Sequence, residues 1–273
     1  GEFVPALVFL ARDASARGQH ERAETYYRRL AASLPRSAEL PQEERAKLQV
    51  ESCLELAELA RLRDRPSEEE GHLEMALSVD PRHPDVLLKL DGLLTAQDRV
   101  SELAEVLQRR CEITRDREAA VALHLRLGAL LETIPGNTEE AITAYRRVLE
   151  LEPGHEGALR HLTLLLREAR RHRELVDNLE QRAELLEPNQ EAEPQPARAL
   201  WFEAARVAHD RLKEPVRAEE LLRRALRLVP DDPELLDALL QVATGDEHIA
   251  DLDPELLADV ARLHREAGRR EQA

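Results

Sequence analysis

One pattern of apolar residues recurs along this chain at roughly the same interval, and that recurrence limits the fold more than any single residue does. Its clearest copy runs from Glu118 to Pro153, EAAVALHLRLGALLETIPGNTEEAITAYRRVLELEP. Leu123, Leu127, Leu130 and Leu131 fall at i, i+4, i+7 and i+8, one apolar stripe on a helix. Ala141, Tyr145, Val148 and Leu149 repeat the spacing after a break at Pro135, Gly136 and Asn137. Thr138 is expected to cap the second helix. Each apolar face is wider than one partner helix covers, so the hairpin needs neighbours.

Other copies follow the same plan. Leu7, Leu10, Ala11 and Ala14 precede a turn at Gly18, and Ala23, Tyr27 and Leu30 follow it. A longer first helix, about Gln42 to Arg63, carries Leu56, Ala57 and Ala60; Pro66 and Ser67 restart the chain toward Leu73 and Ala76. Leu87, Leu90 and Leu94, a turn near Asp98, then Leu103, Leu107 and Cys111 make the third copy. The fifth ends at Pro188. The sixth has Trp201, Ala204, Ala205 and Ala208 before Ala218, Leu222 and Ala225. The copies occupy residues 4–35, 42–83, 84–117, 118–155, 156–188, 197–232 and an irregular 233–273, read as a single array over 4–273. Within the last, a helix starting at Pro233 is interrupted over residues 244–253 and another is expected over Pro254–Ala267. Arg36–Glu43 and Asn189–Pro196 read as loops. Glu102–Ile113 also aligns with Glu174–Leu185, 72 residues on (174 − 102), so the hairpins come in pairs.

An all-α chain agrees with the 3% aromatic content, too low for an ordinary β-protein. A net charge of −16 argues against a nucleic-acid grip over the whole surface, which needs a basic face. Only Lys47, Lys89 and Lys213 supply lysine among 39 basic residues. Cys53 and Cys111 fall on apolar helical positions, reading as core residues of a protein from a reducing, cytoplasmic compartment. No apolar run approaches the roughly 20 residues of a membrane span. Gly1-Glu2-Phe3 reads as a cloning remnant.

The hairpins resemble the tetratricopeptide repeat (TPR) family, which pairs a large residue and Leu-Gly in a first helix with Ala, an aromatic and a closing Pro in the second. The matching residues are Leu127-Gly128, Ala141, Tyr145 and Pro153; Leu10-Ala11, Gly18, Ala23, Tyr27 and Pro35; and Trp201, Ala218 and Pro230. Leu103 and Leu175 stand where the family has a small alanine, which implies looser or shifted packing there. The resemblance implies a right-handed superhelical solenoid of about six to seven repeats. Its concave groove, built mainly from first helices, would bind peptides or helices. Small residues such as Gly128, Ala141 and Ala205 would let helices approach closely.

No catalytic constellation, phosphate loop or cofactor motif is present, so no enzyme activity is expected. His155-Glu156 with His161 has the wrong spacing for a zinc pair, and His155 sits in a loop leading into a helix. Acids such as Glu180 and Glu184 are expected to pair along their own helix with nearby Arg182. Arg170-Arg171-His172-Arg173 is a basic turn, either solvated or an anchor for an acidic partner. By the resemblance, groove positions are Val8, Arg12, Leu54, Glu58, Arg61, Leu88, Leu125, Glu132, Arg160, Arg167, Phe202, Arg206 and His209. Some family members clamp a C-terminal carboxylate with Lys and Asn at such positions. Leu54, Leu88 and Leu125 disfavour that here. An apolar stripe flanked by arginines suits an amphipathic helix or peptide with acidic residues; the alternative is that these arginines pair with acids inside the array. Three functions compete: an interaction scaffold for a protein or peptide, within a longer bacterial protein; a regulatory region of an enzyme or transcription regulator whose active domain lies elsewhere; and a structural array that self-associates through its open ends.

Overall fold

The computed structural model describes residues 3–36, 40–187, 195–230 and 232–245, and these form α-helices with no strand among them. They divide into two compact units, Gly1–Pro135 and Gly136–Ala273. The first holds α1 (Val4–Ala16), α2 (His20–Ser33), α3 (Gln42–Leu62), α4 (Pro66–Val79), α5 (Pro84–Ala96), α6 (Val100–Ile113) and α7 (Arg117–Glu132). The second holds α8 (Thr138–Leu151), α9 (Glu156–Glu168), α10 (His172–Leu186), α11 (Gln195–Val207), α12 (Pro215–Leu228) and α13 (Pro233–Gly245). A 3₁₀ turn, Leu34–Arg36, follows α2. The helix expected over Pro254–Ala267 lies outside the described residues.

Local chemistry explains where the helices start. Proline opens the first turn of α1, α4, α5 and α12, where its missing N–H costs nothing and its fixed φ suits the helix. Asp116 caps α7 by accepting the Ala119 N–H at 2.8 Å. His155 caps α9, its Nδ1 accepting from Ala158 at 3.1 Å. Thr138 is not a cap: it is the first residue inside α8, and Asn137 holds the cap position without a side-chain bond.

Several of the turns between helices share one device. Gly18, Asp64, Asp98, Gly136, Arg170 and Lys213 all have positive φ, and each stands two residues before the next helix. A left-handed residue there lets the following N–H reach back to the helix, as Arg65 does to the Ala60 carbonyl and Arg171 to Leu166.

In unit 1, Leu7, Ala11, Ala14, Ala23, Tyr27 and Leu30 form a core with Leu56 and Leu59 of α3. Leu10, expected inside it, is exposed with Phe9. Cys53 is buried and Cys111 half-buried, both as free thiols. In unit 2, Trp201 and Tyr145 are wholly buried, and the Trp201 indole N–H donates to Glu187 at 2.8 Å. Tyr145 stacks on His161, ring centroids 5.1 Å apart. Leu103 and Leu175 are both buried, so leucine fills the position that the resemblance gives to alanine. Gly128, Ala141 and Ala205 are buried.

Many ion pairs run to a neighbouring hairpin rather than along one helix. Glu180 accepts from Arg217 of α12 at 2.7 Å, Glu184 from Arg224 at 2.9 Å, and Arg173 reaches Glu214 at 2.6 Å. Arg182 pairs with neither glutamate and donates to the Thr163 hydroxyl instead. Helix-to-helix spacing, about one repeat in sequence, decides these partners.

Candidate functional site

Within unit 2, the end of α9, the turn into α10, and α11 enclose a cleft of about 740 Å³. Its wall includes a π-helical turn, Ala208–Leu212, that continues α11. There Glu214 N–H bonds the carbonyl of Ala208, six residues back, whereas the turns at Gly18, Asp64, Asp98 and Arg170 span five. The extra residue carries Asp210 and Arg211 to the cleft, and such insertions occur often at functional sites.

The cleft holds four arginines, Arg167, Arg170, Arg206 and Arg211, against Glu203 and Asp210. Arg167 pairs with Glu203. Phe202 supplies the aromatic surface, with Arg198 stacked at 5.0 Å and Arg206 at 6.0 Å from its ring centroid. Arg198 is further tied at 2.7 Å to both Asp232 and Glu234. Arg206 has no ion pair among the described residues; nor do Arg160, Arg170 and Arg211. Arg171, by contrast, is held by Glu139 at 2.7 Å and Glu174 at 2.6 Å. The basic turn is thus divided between structural pairs and the cleft. A second cavity of about 400 Å³ shares Phe202 and Arg206 and adds His209 and α13. Unit 2 therefore brings together Arg167, Phe202, Arg206 and His209, with Arg160 one to two turns before Arg167 on exposed α9 surface.

Sequence reasoning missed the polar cluster behind α9. The Thr163 hydroxyl shares its one proton between Asn178 Oδ1 at 2.7 Å and the Leu159 carbonyl at 2.9 Å, and accepts from Arg182 at 2.9 Å. Thr163 and Asn178 are buried, and burial pulls the Arg182 guanidinium below its usual range. A threonine on the inner face of an apolar helix, three residues after an arginine, was the available signal.

In unit 1 the expected groove residues behave differently. Arg12 makes a two-point bond to Glu51, both contacts 2.7 Å. Arg61 pairs with Glu58, which also accepts from Lys89 at 2.8 Å. Bonds from Arg61 and then Lys89 pull the Glu58 carboxyl down to about 2. Arg12, Arg61 and Arg167 are thus engaged by acids within the protein. Leu54 and Val50 floor a cavity of about 480 Å³ edged by Glu43, Glu51, Asp80 and Asp85. Val8 and Leu125 are half-buried, and Leu88 and Glu132 exposed. Among the described residues no group of His, Cys, Asp and Glu side chains is gathered as metal ligands, and no helix is long and apolar enough to cross a membrane.

No model of a known protein family matches this chain, and no curated protein does. Solved structures do. It is similar to the MamA protein at 17% identity and TM-score 0.38, over 70% of this chain and 95% of that one. It is similar to PilF of Pseudomonas aeruginosa at 17% identity and TM-score 0.34, over 89% and 97%. YrrB, described as a TPR protein with an unusual peptide-binding site, matches at 14% identity and TM-score 0.37, over 68% and 90%. The fold itself rests on the helix packing described above.

Proposed function

We propose that the chain is a non-catalytic interaction scaffold whose second unit takes an acidic segment of a partner protein along the cleft between α9 and α11. One observation carries this reading. Phe202 and four arginines share a cleft of about 740 Å³ in a chain of net charge −16. Cations gathered against the overall charge, around an aromatic surface, suit carboxylates spaced on an amphipathic helix or strand. Arg167, though paired with Glu203, remains half-exposed and able to share its guanidinium. Arg12, Arg61, Val8, Leu54, Glu58, Leu88 and Leu125 contribute in this reading as a separate, internally paired surface of unit 1.

The reading is tested by fluorescence anisotropy with a labelled amphipathic peptide of about 14 residues bearing Glu on one face, against its Gln counterpart. The Glu peptide binds and salt weakens it, and Arg160→Glu with Arg206→Glu abolishes binding while helicity is unchanged. Equal binding of both peptides, or retention by the folded double variant, refutes it.

A further inference from the structure

The 72-residue rhythm aligns two polar clusters in sequence, one in each unit. Helix α5 (PDVLLKLDGLLTA) and α9 (EGALRHLTLLLRE) align throughout, and Asp91 corresponds to Thr163 (163 − 91 = 72) while Arg110 corresponds to Arg182 (182 − 110 = 72). On the same stripe Leu88 becomes Arg160 and Thr95 becomes Arg167. At these three stripe positions the charge changes from −1 in α5 to +2 in α9.

In unit 1 the cluster is closed by its own acid. Asp91 is buried, accepts from Arg110, and takes a second guanidinium from Arg126 at 2.7 Å. In unit 2 the corresponding Arg182 bonds only the neutral Thr163 hydroxyl among the described residues, and it lies within the fields of Glu203 and Glu156 as well as Arg160 and Arg167. Asn178, 5% exposed, bonds Thr163 through Oδ1 and keeps its Nδ2 without a partner among the described residues. Arg182 is thus a half-buried guanidinium with one neutral acceptor, beside two further guanidiniums and a buried amide donor, and the acids that act on it, Glu203 and Glu156, form no bond to it among the described residues. Arg160 and Arg167 are exposed on α9, and Arg182 is itself half-buried rather than sealed off.

We infer that Arg182, held in place by Thr163, anchors a carboxylate side chain of the partner segment at the seam of α9, α10 and α11, with Arg160 and Arg167 beside it. The partner's acid takes toward Arg182 the role that Asp91 takes toward Arg110. This inference rests on the cleft reading above and names the group that enters and where it is held.

Thr163→Asp tests it, because it supplies that carboxylate from within. The variant is expected to fold with unchanged helicity and a midpoint at or above that of the parent, and to bind the Glu peptide at least about tenfold more weakly. Arg182→Gln, which keeps a donor to Thr163, provides a second route if the buried aspartate disrupts folding; it too loses about tenfold, without altering the weak binding of the Gln peptide. If either variant folds and binds the Glu peptide as the parent does, while Arg160→Glu with Arg206→Glu abolishes it, the anchor is refuted and the cleft reading stands. If the parent binds no Glu peptide, both fall. A phosphoserine peptide bound more tightly than the Glu peptide, through Arg182, would also overturn the assignment to a carboxylate.

Discussion

Removing Asp91 should damage unit 1 more than removing any arginine that contacts it. The Asp91 side chain is 5% exposed, whereas Arg110 is 20% and Arg126 42% exposed. In Asp91→Ala, Arg126 can turn to water, but Arg110 keeps most of its burial and loses its acid. Breaking a buried pair from one side costs about 3–5 kcal/mol, and the partial exposure of Arg110 places this case near 3. Arg126→Ala leaves Asp91 with Arg110 and Thr95, so its cost is about 0.5–1 kcal/mol after allowance for solvent screening. Asp91→Leu with Arg110→Met removes both charges together and should recover most of the loss. Urea unfolding of the full chain, followed by helical circular dichroism, measures each difference at constant slope. A cost for Asp91→Ala below about 1 kcal/mol, or no larger than that of Arg126→Ala, would falsify the claim that this carboxylate closes the cluster.

Two further outcomes follow from the turns and the core. Lys213 holds φ 58°, a region costly for a side chain with Cβ, so Lys213→Gly should stabilise by about 0.5–1 kcal/mol, and a lowered urea midpoint would contradict this. The Tyr27 phenol is pushed up to about 12, chiefly by burial and then by Glu55 and Glu51. Its folded pKa exceeds the unfolded value of about 10, so its contribution is fully present below pH ~10 and fades as pH approaches 12. The phenolate absorbance lost in Tyr27→Phe should therefore appear near pH 12; a step near 10 in the folded protein would rule it out.

Much of the fold is legible in the residues because helix starts, turns and apolar stripes are local matters. Pro66, Asp98 and Pro233 mark boundaries through their own backbone preferences. The exposure of Leu10 was not legible, since spacing assigns a face but not whether a neighbour covers it. Ion pairing was misread for a similar reason. Glu180 has Glu184 and Arg182 within reach on its own helix, yet Arg217 sits closer across the hairpin seam. Of the candidate site, Arg167, Phe202 and Arg206 could be found from position within the repeat. The π-helical turn that presents Arg211, and the pairing of Arg182 with a threonine, depend on one inserted residue and one charge change that only packing gives meaning to.

The stitches between alternate helices also specify an order. In unit 1, Arg12 of α1 meets Glu51 of α3, but the next seam reverses the signs, Lys89 of α5 meeting Glu58 of α3. Both acids belong to α3. Excising the α3–α4 hairpin would place α1 beside α5 with a cation on each side and neither acid to separate them. Near-identical tiles invite stacking in the wrong order while a chain refolds or is shuffled by recombination. A seam whose polarity flips makes one such shortcut unfavourable, so charge here writes punctuation into a sequence of otherwise interchangeable parts.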